Sequence, residues 1–170
     1  MKVFCFFILI IPLIVMGQVM ETTTEELTRT SDAIIVGTCV EKESFWNEKR
    51  DKIFTRIRLK ADQYLKGNLG DEAVITMPGG RVGDIIYEVS DIPLFSEGEE
   101  MVAFLWRHPI GITMINGGLH GKKLITRDKR TGKRMIQDTF KSDTPKKPTE
   151  QKILLDDYLK HIRSYVRDSK

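Results

Sequence analysis

The chain has 170 residues, of which 27 are basic and 24 acidic, and its net charge is +3 at neutral pH. So small a charge does not demand nucleic acid or an anionic lipid surface as the partner. The two cysteines, Cys5 and Cys39, exclude a scaffold held together by several disulfides. The length suits one domain with its own hydrophobic core.

The N-terminus has the layout of a secretory signal peptide. Lys2 precedes an uninterrupted apolar run from Val3 to Met16, and Gly17 and a polar, threonine-rich stretch follow. We therefore predict a signal peptide over residues 1–17 and export to the periplasm, the cell envelope or the medium. The alternative is an uncleaved anchor, for which the run is short of the roughly 20 residues of a membrane span. Only in that case do we expect the membrane as a partner.

A short helix and a buried strand follow the leader. Thr23 and Glu26 have the spacing of a capping box, which predicts a helix over Thr24–Thr30. The run from Ala33 to Val40 is apolar and rich in β-branched residues, which predicts a buried strand. Gly37 within this strand indicates a bulge.

The middle of the chain is predicted to form strands separated by loops. A polar loop is expected over Glu43–Asp51, before a strand over Ile53–Asp62 in which apolar and charged residues alternate. Another strand is expected over Glu72–Met77. The segment Pro78–Asp84 reads as a glycine-rich loop leading into a short strand over Ile85–Val89.

The last strands and a terminal helix complete the pattern. Met101–Trp106 is apolar on both faces and should be a central strand, and Ile112–Ile115 follows a turn. A final hairpin should pair Lys123–Arg127 with Met135–Asp138. Several short strands of this kind favour a small closed or half-closed antiparallel barrel over a parallel α/β sheet.

The C-terminal segment is predicted to be a linker and an amphipathic helix. Thr144–Pro148 is the linker, and from Thr149 onward apolar residues recur at three- and four-residue steps. The expected organisation is a signal peptide at 1–17, a β-barrel domain at 18–143, and the linker and helix at 144–170.

Three segments together resemble the netrin-type, or metalloproteinase-inhibitor-like (TIMP-like), group of secreted OB-fold domains. These are SDAIIVGTCV, the alternating strand that ends in YLKGN, and Phe95 with SEGEEMVAFL. The group's motifs match Ile35–Gly37, Lys66–Gly67 and Gly98–Phe104. The region Leu27–Arg127, with PGGRVGD, PLFSEGEE and GLHGK, is also similar to a family of uncharacterised exported bacterial proteins. The resemblance implies a mainly β, OB-like barrel flanked by a short N-terminal helix and a C-terminal amphipathic helix.

The resemblance does not extend to protease inhibition. In the inhibitors of that group, an N-terminal cysteine chelates the zinc of the protease, and disulfides hold that edge. A mature chain beginning near Gln18 has only Cys39. What the resemblance implies is therefore a binding role without the zinc-chelating mechanism.

The sequence predicts no catalytic, cofactor or metal site. His108, His120 and His161 lack the spacing of zinc ligands. The chain has no GxSxG motif, the glycine-rich loop does not end in GK[ST], and Cys39 lies in an apolar strand where a thiol behaves as a small hydrophobe. We therefore expect a non-catalytic protein. An envelope enzyme or processing factor with a site built from scattered polar residues stays an alternative.

Two sets of residues are candidates for binding. Phe45 and Trp46, in the polar loop, and Arg81, in the glycine-rich loop, are predicted to contact an extracytoplasmic protein partner, although the two aromatics could instead plug the barrel end. A basic group could bind a glycan or another polyanion, although a hairpin tip also carries charge for solubility. Export argues against nucleic acid as the partner. The basic group comprises Lys129, Arg130, Lys133 and Arg134.

Overall fold

A computed structural model describes residues 22–139 and 150–168 of the chain. The predicted signal peptide and the predicted linker at 144–148 lie outside the described residues. Strands make up most of the regular structure. The elements are α1 (Thr24–Thr30), β1 (Ala33–Trp46), β2 (Ile53–Lys66), β3 (Glu72–Pro78), β4 (Gly80–Val82), β5 (Ile85–Tyr87), β6 (Glu100–Arg107), β7 (Thr113–Ile115), a 3₁₀ turn (Gly118–Gly121), β8 (Lys122–Arg127), β9 (Arg134–Thr139), β10 (Glu150–Leu154) and α2 (Leu155–Asp168).

The strands form one large antiparallel sheet and one separate hairpin. The sheet has the order β10-β9-β8-β6-β1-β2-β3, with β7 paired to β6, and among the described strands β4 pairs only with β5. The mainly β, antiparallel class is thus confirmed. In the described ranges the ladder of hydrogen bonds ends at β3 and β10, so the expected barrel is not closed. β3 and β7 meet instead through the Ile115 amide, which lies 3.4 Å from Met77 Sδ.

Strand β6 and the first half of β1, Ala33–Cys39, lie at the centre of the sheet and are buried on both faces. Alternate residues of each strand belong to two hydrophobic clusters, as Ile35 and Ile34 do in β1. This arrangement confirms the prediction of a central strand at Met101–Trp106. The first cluster comprises Ala33, Ile35, Cys39, Ile57, Leu59, Ala73, Ile75, Met77, Phe95, Met101, Ala103, Leu105 and Ile115.

Both helices cover the second cluster. The N-cap of α1 is Thr23, whose hydroxyl accepts a hydrogen bond from the Glu26 amide at 3.2 Å, as the capping-box spacing predicts. In the described part of the chain, neither helix has the length and apolar character of a membrane span. The second cluster comprises Leu27, Ile34, Val36, Val102, Phe104, Ile125, Ile136, Leu155, Tyr158, Leu159 and Ile162.

The C-terminal segment contributes a strand as well as a helix. Glu150–Leu154, expected to begin the helix, forms β10 and pairs with β9. The apolar residues that face the sheet at helical spacing start only at Leu155, where α2 begins. The residues before it gain backbone partners from β9, which sequence periodicity does not reveal.

The polar loop predicted at Glu43–Asp51 is shorter than expected, because its first four residues, Glu43–Trp46, belong to β1. β1 continues to Trp46, and the turn is shorter because the Asn47 side chain accepts hydrogen bonds from the Asp51 and Lys52 amides at 3.1 and 3.2 Å. Polar residues in this stretch are compatible with a strand because one face of it meets solvent.

The predicted bulge at Gly37 is confirmed. The pairing of β1 with β2 shifts register between Val36 and Gly37. A Cβ atom at Gly37 would lie 2.4 Å from the Lys60 carbonyl oxygen. Glycine is therefore needed here for the close approach of two backbones.

Candidate functional site

The glycine-rich segment predicted as a loop is a β-hairpin. β4 and β5 pair around a two-residue turn at Gly83 and Asp84, with Val82 opposite Ile85. Gly83 has φ 60° at the first central position, which favours glycine there as in a type II′ turn. The hairpin projects from the end of β3.

Two hydroxyl side chains attach this hairpin to the main sheet. Ser44 Oγ and Thr55 Oγ1 lie 2.9 Å apart on β1 and β2. Thr55 Oγ1 donates to the Gly79 carbonyl at 2.7 Å, and Ser44 Oγ accepts from the Arg81 amide at 3.3 Å. A Cβ atom at Gly80 would lie 2.4 Å from Thr55 Oγ1 and 2.5 Å from Ser44 Oγ. Only glycine lets the hairpin lie this close.

A cleft of about 740 Å³ opens beside the hairpin. This volume is within the range of clefts that hold small molecules or side chains of a partner. The polar part of the lining contains Lys42, Ser44, Thr55, Arg81, Glu88 and Ser96, with Gly79 and Gly80. The apolar part contains Ile57, Met77, Pro78, Ile86, Tyr87, Val89, Ile92, Pro93, Leu94 and Phe95.

Large apolar side chains stand exposed at the rim of the cleft. Leu94 is 88% exposed, Ile86 57% and Tyr87 39%. Ile85, the neighbour of Ile86 in β5, is 54% exposed. Scattered exposed apolar residues are normal, but several exposed apolar side chains that line one cleft are typical of a contact site.

The segment that carries Leu94 is held by Lys122. The Lys122 ammonium donates to the Leu94 carbonyl at 2.5 Å and to Glu99 Oε2 at 2.6 Å, and it lies 4.7 Å from the centre of the Phe95 ring. Lys42 Nζ donates to the Phe95 carbonyl at 2.9 Å. With the Phe95 ring itself buried, the exposed Leu94 side chain is presented from a fixed backbone.

The ionisation of Glu99 reflects this network. Burial alone raises the pKa of Glu99, but the hydrogen bonds from Lys122 and Ser96 and the charge of Lys122 outweigh burial and lower the pKa overall. Glu99 is therefore a carboxylate at neutral pH, and its charge balances that of Lys122.

The segment that forms one side of the cleft is acidic, whereas Lys42 and Arg81 line the other side. From Val82 to Trp106 the sequence has no basic residue and six acidic ones. Three of these have partners: Glu97 accepts from the Lys42 amide, Glu99 pairs with Lys122, and Glu100 lies near Arg127 and Arg134. The other three, Asp84, Glu88 and Asp91, are exposed and form no ion pair with any residue in the described ranges.

Of the predicted partner-binding residues, the structure brings only Arg81 to the cleft. Phe45 and Trp46 are half-buried residues of β1, not of a loop, and they do not line the cleft. Phe45 lies opposite Phe54 and Trp46 opposite the buried Ile53, so successive side chains point to opposite faces of the sheet. The two aromatics therefore do not form one contact surface.

Phe45 already has partners within the sheet. Its ring centre lies 6.4 Å from that of Phe54 and 4.9 Å from the Arg56 guanidinium carbon. These cross-strand contacts account for its position without a partner protein. A contact role for Phe45 and Trp46 stays a prediction.

The predicted polyanion-binding group lies on the turn between β8 and β9. Lys129, Arg130 and Lys133 are exposed there, whereas Arg134 is half-buried with Nε 3.3 Å from Glu100 Oε2. None of these side chains lines the cleft. Because the charge of Arg134 is partly neutralised by Glu100, the free positive charge is confined to the turn.

The residues with catalytic or metal-binding chemistry are dispersed. In the part of the chain that the structure describes, no three histidine, cysteine or acidic side chains are grouped to hold a metal ion. Cys39 is buried, and burial together with the nearby charge of Glu99 raises the pKa of its thiol. A raised pKa makes the thiol a weak nucleophile at neutral pH.

No protein-family model matches this sequence, and no curated protein is significantly similar to it. The candidate site therefore depends on its geometry. Sequence reasoning missed Ile86, Leu94 and the acidic rim. The available signal was the stretch without basic residues, in which the apolar runs IIY and IPLF stand close together.

Proposed function

We propose that this protein is an exported, non-catalytic binding module with an OB-like, half-open barrel, and that its cleft beside the β4–β5 hairpin receives an apolar part of an extracytoplasmic protein partner. The main support is the exposure of Leu94 and Ile86 beside a cleft of about 740 Å³. Burial of these side chains in a complex would remove apolar surface from water, which is the dominant favourable term in most protein association.

The rigid mounting of both rims also supports a binding role. The hairpin is attached through Ser44 and Thr55, and the opposite segment through Lys122 and Lys42. A surface that is ordered before binding loses less conformational entropy on association. Charged and hydroxyl groups in the lining of the cleft would fix the orientation of the bound group.

The proposal is tested with an apolar fluorescent probe, anilinonaphthalene sulfonate, on the purified folded protein. We expect the probe to bind, and Leu94→Ser and Ile86→Ser each to weaken its binding about tenfold, because burial of a leucine or isoleucine is worth about 1.5–3 kcal/mol. The matched control is Ile110→Ser, which removes an apolar side chain that is 73% exposed but outside the cleft.

The outcomes distinguish binding of the probe in the cleft from binding to exposed apolar side chains elsewhere on the surface. Reduced binding in the two cleft variants, with the control unchanged and all variants folded by circular dichroism, supports the cleft as the site. Equal binding by all three variants, or no binding by the wild-type protein, would show that these exposed side chains do not form a binding site.

A further inference from the structure

The outer edge of β5 is an unpaired strand edge at the rim of the cleft. β5 pairs only with β4 in the described chain, and Ile86 lies opposite Arg81 in that pair. In a hairpin with a two-residue turn, the two residues that flank the turn, here Val82 and Ile85, direct their N–H and C=O groups at each other. The N–H and C=O groups of the next pair, Arg81 and Ile86, therefore point away from the hairpin. The Arg81 amide does point outward, since it donates to Ser44 Oγ. By the same alternation, the N–H and C=O of Ile86 face the free edge.

Native proteins usually protect such an edge, and β5 is protected only by its length of three residues and by the flanking carboxylates of Asp84 and Glu88. Exposed edges commonly carry lysine, proline or a covering loop. Residues 85–87 are Ile, Ile and Tyr, all exposed. Ile86 and Tyr87 also line the cleft. An added strand at this edge would therefore meet backbone hydrogen-bonding groups and apolar side chains in the same place.

The charges around β5 indicate which strand fits. Asp84 precedes β5 and Glu88 follows it, and neither forms an ion pair within residues 22–139 and 150–168. An antiparallel strand centred opposite Ile86 would place one residue near each carboxylate. Opposite charges in cross-strand positions stabilise pairing and like charges oppose it. The edge thus favours a strand with an apolar centre and a basic residue near each end.

A second copy of this chain does not meet that requirement. Two β5 strands paired antiparallel about Ile86 would place Asp84 of each copy near Glu88 of the other. Both contacts would join like charges, which disfavours self-pairing at this edge. We propose, building on the binding function proposed above, that a basic, extended segment of a partner protein adds to β5 as a further strand and places an apolar side chain in the cleft.

The experiment selects ligands from a displayed library of random nine-residue peptides on the purified protein. We expect enrichment of sequences with alternating apolar residues and lysine or arginine at both ends of the apolar core. The best peptide is then synthesised with a single N-methyl group, either on the residue opposite Ile86 or on its neighbour. Only the N-methyl group on the residue opposite Ile86 removes an N–H group that faces β5. Only that peptide should therefore bind more weakly, by about tenfold.

A pair of protein variants tests the same edge from the other side. Ile86→Pro removes the outward N–H but none of the hydrogen bonds to β4, whereas Ile86→Val keeps the N–H and a β-branched side chain. We expect the proline variant to lose peptide binding by about tenfold and the valine variant to keep most of it. Circular dichroism confirms that both variants are folded.

Several results would contradict strand addition at β5. Enrichment of acidic peptides, no enrichment at all, or equal binding of both N-methylated peptides would overturn strand addition, as would dimerisation of the protein through this edge. If the fluorescent probe still binds in the cleft while no peptide is enriched, the proposed binding function stands and only strand addition fails. If the probe also fails to bind, both proposals fail.

Discussion

Ser44 Oγ and Thr55 Oγ1 lie 2.9 Å apart on neighbouring strands, and between them they bind the Gly79 carbonyl and the Arg81 amide of the β4–β5 hairpin. A two-stranded hairpin alone is marginally stable in water. These two hydroxyls therefore connect a small element to the central sheet, together with the Gly79 amide, which donates to the Ile53 carbonyl at 2.9 Å. The position of one wall of the cleft depends on them.

Removal of this connection should release the hairpin. Gly80→Ala places a Cβ atom against both hydroxyls, and Thr55→Val removes the donor to Gly79. We expect trypsin to cleave after Arg81 faster in both variants than in the wild-type protein. Gly132→Ala is the control, because Gly132 also has positive φ but open space around its Cβ position. Cleavage at the wild-type rate in Gly80→Ala would show that the hairpin is held by other contacts.

The Glu99–Lys122 pair should make stability depend on pH. Since the pKa of Glu99 is lower in the folded protein than in the unfolded chain, the unfolded chain binds the proton first as pH falls. The stabilisation is complete above the ordinary glutamate pKa of 4.5 and is lost as pH falls towards the lower, folded-state pKa. We expect Glu99→Gln to flatten the fall in unfolding free energy over this range, as measured by urea denaturation.

Glu88→Gln is the matched control for this pH effect, because Glu88 is exposed and forms no ion pair within the described ranges. An equal flattening in Glu88→Gln would show that the loss of any carboxylate has this effect. A Glu99→Gln profile that coincides with the wild-type profile would contradict the role given to the pair. At neutral pH, Lys122→Met should cost about 2 kcal/mol, because it leaves the Glu99 carboxylate without its charged hydrogen-bond donor.

Cys39 should react only when the protein opens. Its side chain is buried, and burial raises the pKa of the thiol, so both access and thiolate formation oppose modification. We expect alkylation of Cys39 by iodoacetamide, followed by mass spectrometry, to rise in parallel with urea unfolding. Rapid alkylation under native conditions would mean that β1 opens locally without global unfolding.

The basic turn between β8 and β9 should contribute little to stability. Lys129, Arg130 and Lys133 are exposed, and exposed charges away from special contacts change stability by less than about 0.5 kcal/mol each. We expect the triple alanine variant to keep the melting temperature of the wild-type protein. Binding of heparin, a model polyanion, is the second measurement. Heparin binding that the triple variant loses would support the polyanion alternative, and no binding by either protein would remove it.

Much of the fold is predictable from local pattern. The helix that begins after Thr23, the bulge at Gly37 and the final hairpin depend on neighbouring residues, and all three are confirmed. The extension of β1 to Trp46 was missed because its residues are polar and gain their support from β2. The β4 strand was missed because its glycine is required by packing against Ser44 and Thr55, which lie far away in the sequence.

The candidate site was less predictable than the fold. Arg81 was identified, but Leu94 and Ile86 were not, because no periodicity shows that an apolar side chain of a loop or of a short hairpin strand is exposed to solvent. Their exposure follows from the fixed backbone around Phe95 and from the unpaired edge of β5. Both are properties of the tertiary structure.

The most direct test of the binding cleft is site-specific photo-cross-linking in cells that produce the protein. A photoreactive amino acid replaces Leu94 in one variant, Ile110 in a second and Lys129 in a third. We predict a specific cross-linked protein adduct from position 94 that disappears when Ile86→Pro is combined with it, and no such adduct from position 110 or 129. An adduct from position 110 or 129 but none from position 94 would contradict the assignment of the cleft as the binding site.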